Sequence, residues 1–230
     1  MNEGLIDWSG PLLAGALVTI EMAVSAYLVA LVIGLLGASA KLRGNAPVRA
    51  LATTYSTLMR AVPELLLIIL LYYAGQKLVN VIMQYFGVAG SAGFSGMLTA
   101  ISVLALVEGA YLTEIFRGAI QSIPRGHIEA ADAYGMSSWL RFRRIVLPEM
   151  LPPALPSMYN MWLILLKDTA LVSVVGAQEL FFTAQQAAAS TRAYFLFYIA
   201  AGALYLIMTM SSNVVFRRCE RRVNRGRAPV

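Results

Sequence analysis

Charged side chains are scarce in this 230-residue chain: Asp, Glu, Lys and Arg make up 13% of it, about half of the roughly 25% found in an average soluble domain. A soluble fold of this size has no means of hiding the 59% of residues that are apolar, and the mean hydropathy is +0.68. The few charges collect between long apolar stretches, so lipid must act as the solvent for most of the chain. Cysteine and histidine occur once each, as Cys219 and His127. A single thiol excludes an intrachain disulfide and a redox pair. A single imidazole with no second ligand at a suitable spacing reads as a loop residue, and no metal site is expected. No G-x-x-x-x-G-K-[ST] sequence occurs, so the chain is expected to hydrolyse no ATP itself. Lys and Arg are also missing from Met1–Gly10, where a secretory signal carries its positive region. No cleaved signal is expected, and the first apolar stretch should remain as a helix.

Crossing the hydrocarbon core takes about 20 helical residues at about 1.5 Å each. By that ruler the chain is an all-α membrane protein, one transmembrane domain over 1–230, with about five spans: residues 12–40, 50–74, 94–120, 153–176 and 194–216. The first ends in the turn from Lys41 to Pro47. A Gly-rich connection (Gly87, Gly90, Gly93, Gly96) precedes the third, and the proline cluster Pro148, Pro152, Pro153 and Pro156 precedes the fourth. No repeat or mirrored second half is visible, unlike many secondary carriers.

The basic residues give the orientation. Lys41, Arg43 and Arg49 lie in the first loop, and Arg117, Arg125, Arg141, Arg143 and Arg144 in the third. The tail carries Arg217, Arg218, Arg221, Arg222, Arg225 and Arg227. The opposite side holds only Lys77 and Arg192. The positive-inside rule then predicts a cytoplasmic C-terminus and an external N-terminus, which an odd number of spans requires. Tyr194, Phe195, Phe197 and Tyr198 open the last span where an outer aromatic belt would sit. The basic tail reads as a topology signal in contact with anionic lipid. No partner nucleic acid is expected, because no basic face accompanies soluble structure.

The third loop, about residues 124–148, holds the most informative pattern. Pro124 precedes a short helix, Glu129 and Asp132 sit in its early turns, and Gly135 ends it in a left-handed conformation. Ser137 or Ser138 can cap a second helix, Met136 to Arg144, which the Ile145-Val146-Leu147-Pro148 run stops. Ala130, Ala131 and Ala133 offer so little bulk that a partner could approach the backbone closely. Physics alone leaves two readings open. The loop is a docking helix pair for a partner, or an amphipathic linker with Trp139, Leu140 and Phe142 in the headgroups.

Glu129-Ala130-Ala131, then Gly135, then Ile145-x-Leu147-Pro148 resembles the EAA loop of ATP-binding-cassette (ABC) import permeases, spacing included. The resemblance covers nearly the whole chain. Gly15–Glu21, Arg60-Ala61-Val62-Pro63-Glu64-Leu65, Gly109–Gly118 and Leu166–Ser173 are similar to polar-amino-acid permeases, above all the Q-type subunits of the histidine, lysine, arginine, ornithine and opine importers. Ala61 departs from the glycine found in many relatives. The resemblance implies the type I ABC importer permease fold in the bacterial inner membrane. It also implies a sister permease subunit, two ATPase subunits that carry the ATP and Mg²⁺, a periplasmic substrate-binding protein, and a polar or basic amino acid as cargo. It makes Glu129, Ala130, Ala131, Gly135, Ile145, Leu147 and Pro148 the ATPase-coupling residues, and this chain a transport subunit rather than an enzyme.

An ionisable group at mid-membrane costs at least about 2.5 to 3.5 kcal/mol unless it finds a partner or a wet cavity. Glu21, Arg60, Glu64, Glu108, Glu114, Lys167 and Asp168 therefore need explaining. Arg60 and Glu64, four apart, either neutralise each other on one helical face or, with Pro63 between them, form a kinked gate. Glu114 and Arg117 read as a structural pair. Glu108, with Tyr111 a turn on, is a candidate for contact with a cationic substrate; protonation or pairing with Lys167 are the alternatives. Asn160 and Lys167 share a face and either line the pathway or bond to Arg60 or Glu64. The sequence thus predicts an acidic pathway of Glu64, Glu108 and Asp168, joined by Tyr111. A membrane enzyme is excluded by the lack of any nucleophile-base pair. A channel or secondary carrier for small cationic solutes is the alternative function.

Overall fold

The computed structural model describes residues 3–85 and 96–223. Of the connection before the third span, Gly87, Gly90 and Gly93 lie outside the described residues, as do Arg225 and Arg227 of the tail. The described residues are helical almost throughout, and five helices among them are long and apolar enough to cross a membrane.

Helix α1 (Glu3–Arg43) carries the first span, Ile6–Arg43, which starts ahead of the expected residue 12. Asn45 caps α2 (Ala46–Ala61), its side chain accepting from Val48 N at 3.2 Å. The second span differs from expectation. Residues 50–74 do not form one helix, because Pro63 forces Val62 into extended backbone (φ −99°, ψ 142°) and ends α2. A new helix, α3 (Glu64–Tyr85), starts immediately afterwards, and the apolar span is Glu64–Val81. The third span follows expectation as α4 (Gly96–Gln121).

The short helices α5 (Arg125–Ala133) and α6 (Ser138–Arg141) follow α4. Pro148 does not stop the second loop helix, and the fourth span does not begin after the proline cluster, at residue 153, but contains it, running over Ser138–Val175. A π turn, Phe142–Val146, joins α6 to α7 (Leu147–Asp168), with Leu147 N donating to the Phe142 carbonyl. The wider turn shifts the hydrogen-bond register just ahead of Pro148, which occupies the first turn of α7, where a missing N–H costs little. Pro152, Pro153 and Pro156 lie inside α7. A 3-10 turn, Leu171–Val175, and left-handed Gly176 (φ 88°) close this segment.

Between the fourth and fifth spans stands α8 (Leu180–Thr191), which the sequence reading passed over. Its 12 residues cover about 18 Å, too little to cross. The fifth span, α9 (Tyr194–Val223), extends two turns past the expected end at residue 216. Tyr194, Phe195 and Tyr198 are exposed at its start, whereas Phe197 is fully buried against Trp8.

Two apolar clusters hold the helices together, one joining α1, α3, α4 and α7, the other joining α1 and α7 to α8 and α9. Helix α1 packs on α4 through glycine: a methyl group at Gly34 would stand 2.7 Å from Leu112 Cβ, and one at Gly109 2.6 Å from Ile33 Cγ2. Small residues bring membrane helices close where no hydrophobic effect drives them together.

Candidate functional site: an acidic cluster in the membrane and a helix pair outside it

Three helix positions bring the predicted pathway residues together. Glu64 opens α3 directly after the Pro63 break, Glu108 lies in the middle of α4, and Asp168 ends α7. The Glu64, Glu108 and Asp168 carboxyls lie within electrostatic range of one another. Tyr111 donates to Glu64 Oε1 at 3.2 Å. Glu108 is 1% exposed, and neither of its oxygens has a hydrogen-bond partner among the described residues. Three carboxyls this close repel one another when ionised, so either a proton or a cation among them relieves the repulsion.

The ionic pairs below this cluster differ from the sequence reading. Arg60 and Glu64 do not pair, because the break at Pro63 removes the continuous turn that a spacing of four presupposes. Arg60 instead donates through Nε to the Ser56 carbonyl at 3.0 Å and lies 3.9 Å from Glu114. Glu114 pairs with Arg117 as expected, at 2.8 Å, and is also bound by Lys41 and, at 3.1 Å, by Ser56. Lys41 read only as a topology charge; its partner stands 73 positions away, a separation that leaves no mark in local spacing. A cleft of about 430 Å³ opens beside this cluster, lined by Arg60, Tyr111, Glu114 and Asn160. Lys167 makes no ion pair among the described residues and faces a different cleft, with Phe181, Tyr198 and Tyr205. Asn160 and Lys167, seven apart on α7, thus line separate clefts, and Lys167 makes no ion pair with Glu108. Glu21 is exposed on α1.

On the loop side, α5 ends as expected at Gly135 (φ 69°). Met136 N donates to the Ala131 carbonyl and Gly135 N to that of Asp132, the double bond pattern of a Schellman cap. Ser137 caps α6 through Leu140 N at 3.3 Å. Two polar pairs tie α5 down: Asp132 with Arg141 of α6, and His127 Nδ1 with both Glu149 oxygens of α7 at 2.8 Å. Glu129, Ala130, Ala133 and Tyr134 then face outward, Tyr134 being 85% exposed. Ala131 does not share that face. It is 3% exposed and packs inward, so its small side chain serves the fold of the helix pair. Ile145 and Leu147 are half-buried and Pro148 exposed.

Residues 30–225 match the family described as the inner membrane component of binding-protein-dependent transport systems. The chain belongs to that family. The permease is 41% identical over 226 residues to the octopine transport system permease protein of Rhizobium radiobacter, covering 98% of this chain and 95% of that one. With the histidine/lysine/arginine/ornithine transport system permease protein HisQ of Escherichia coli K12 it shares 42% over 222 residues, 96% of this chain and 97% of the other. Its fold is similar to that of an amino acid ABC transporter crystallised with histidines, at a TM-score of 0.76 and 28% identity over 95% of this chain and 96% of that one. The permease thus has the type I ABC importer fold and is a multi-pass transport subunit, which decides between importer and channel or carrier.

One further polar group escaped the sequence reading. Glu179 is fully buried and caps α8, accepting from Phe182 N at 2.8 Å, Tyr205 OH at 2.9 Å and Thr19 Oγ1 at 3.1 Å. The available signal was an acidic residue just ahead of the apolar run Leu180-Phe181-Phe182, a helix-start pattern.

Proposed function

We propose that this permease carries a basic amino acid inward, with Glu64, Glu108 and Asp168 as the acidic lining of the pathway and Tyr111 orienting Glu64. The convergence of three carboxyls from α3, α4 and α7, one of them buried without a partner, is the observation that carries this reading. A guanidinium or ammonium group satisfies all three, and a neutral side chain does not. The curated relatives named for octopine and for histidine, lysine, arginine and ornithine agree with that chemistry.

The family the chain belongs to supports a reading of the remaining machinery. The single membrane domain over 1–230 pairs with a sister permease, and a periplasmic binding protein supplies the amino acid from the outer side. Two ATPase subunits, which hold the ATP and Mg²⁺, grip α5 and α6. The outward face of Glu129, Ala130, Ala133 and Tyr134 carries one charge and little bulk beside it, and it suits a groove on a partner. Gly135, Ile145, Leu147 and Pro148 set the angle between α5 and α7. Closure of the ATPases moves this pair as a rigid body and turns the pathway outward. The C-terminus is cytoplasmic and the N-terminus periplasmic, as the Lys and Arg distribution requires.

Uptake of arginine into vesicles holding the complete transporter, with its binding protein outside, tests the acidic lining. Glu64→Gln with Asp168→Asn is expected to lower uptake at least about tenfold, the loss of one charge-assisted contact or more. ATP hydrolysis should persist in the same preparation. Undiminished arginine uptake by the double variant overturns the assignment.

A further inference from the structure

At the inner ends of α7 and α9 a cleft of about 370 Å³ lies between Leu155 and Tyr159 on one side and Asn213, Phe216, Arg217 and Glu220 on the other. Arg217 Nε donates to Asn213 Oδ1 at 3.0 Å, which holds the guanidinium in place, and Arg217 makes no ion pair among the described residues. Past Phe216 a second groove, about 280 Å³, runs between α1, α7 and α9 along Val24, Leu28, Trp162 and Val215. The Phe216 ring belongs to both, 4.8 Å from the Tyr159 ring and 6.5 Å from that of Trp162. A cleft with a polar wall thus meets an apolar groove at Phe216.

Depth and charge identify the occupant. The 30 residues of α9 span about 45 Å, about 15 Å more than the hydrocarbon core. With Tyr194, Phe195 and Tyr198 at the outer interface, Asn213 to Arg217 fall at the level of the inner headgroups. There Arg217, Arg218, Arg221 and Arg222 outnumber Glu220, the one carboxylate on the cleft wall. Basic pockets between helices on the cytoplasmic side suit anionic headgroups.

We propose that this paired cleft and groove hold one anionic phospholipid, its phosphate against Arg217 and an acyl chain past Phe216 along Val215 and Trp162. A free phosphate ion satisfies Arg217 but leaves the groove uncovered; a zwitterionic lipid fills the groove but answers the basic cluster poorly. The inference rests on the proposed orientation, because it needs α9 to end at the inner leaflet.

Native mass spectrometry of the complete transporter, exchanged into detergent with equal phosphatidylglycerol and phosphatidylcholine, reads the site directly. Wild type is expected to keep one phosphatidylglycerol per copy of this permease in preference to phosphatidylcholine. Arg217→Gln should lower that retention at least about fivefold. Val215→Trp, which fills the groove without changing charge, should also lower it, and Arg218→Gln, outside the cleft, should leave it near wild type. Equal retention of the two lipids by wild type overturns the proposal without any variant. So does equal loss from Arg217→Gln and Arg218→Gln, which marks diffuse attraction. Full displacement by inorganic phosphate together with an inert Val215→Trp marks an anion site only, and overturns it as well. Orientation is read separately on Cys219, the sole cysteine and an exposed one. A membrane-impermeant maleimide should label it in inverted vesicles and not in intact cells. The reverse pattern refutes the topology while leaving the lipid count as its own result.

Discussion

Glu179 and Glu108 are both buried, at 0% and 1% exposure, yet the surrounding chain treats their carboxyls in opposite ways. Glu179 takes hydrogen bonds from α1, α8 and α9, and Thr19 extends the network by accepting from Leu180 N at 3.1 Å. Glu108 has no donor among the described residues, and its neighbours Glu64 and Asp168 are of its own sign. A buried carboxyl whose acceptors are filled fastens helices together; one left without partners at mid-membrane weakens the fold and is a candidate for binding. Burial alone does not separate the two.

The largest effect expected from breaking this contrast is on stability at Glu179. Glu179→Ala strips the α8 cap and strands buried donors from two other helices, for a loss of about 3 kcal/mol. Denaturant or thermal unfolding of the purified transporter measures it, and a loss below about 1 kcal/mol would mean that the network is replaceable. Glu108→Gln should behave in the opposite sense. Stability is expected to stay within about 1 kcal/mol of wild type or to rise, because the amide keeps the shape of the side chain and cannot repel Glu64 or Asp168, while uptake of arginine falls about tenfold. A variant that unfolds but, once assembled, transports normally would place Glu108 with Glu179 as a structural group. The smallest effect sharpens the comparison at the edge of the network. Tyr205→Phe removes one of the donors to Glu179 and should cost about 1 kcal/mol with uptake unchanged.

The sequence made some of this contrast visible and hid the rest for physical reasons. Membrane composition, five spans and the EAA spacing are written locally, in apolar runs and in turn residues such as Pro124 and Gly135. Glu64, Glu108 and Asp168 were legible as candidates because a charge inside an apolar span stands out against its neighbours. Glu179 sits in a segment too short to cross, where a charge looks ordinary, and its donors Thr19 and Tyr205 are 160 and 26 positions away. The same distance hid Lys41 as a partner of Glu114. Pro63 suggests at most a kink in sequence and makes a full break, since a proline after an extended residue can end one helix and begin another without an intervening loop. Pro148 was read as a stop and is carried by the π turn. In both cases the residue was noticed, and its effect depended on backbone register that composition does not encode.

That π turn has one more consequence. Because α6 passes through Phe142–Val146 into α7 without a hinge, the outward helix pair and Asp168 ride on one shaft. Deleting any one of those five positions would restore ordinary winding and leave α6 and Asp168 nearly in phase, because five residues at about 80° each and four at about 100° each turn the shaft by about the same angle. The wide turn thus stores one residue without aiming the Asp168 carboxyl away from Glu64 and Glu108.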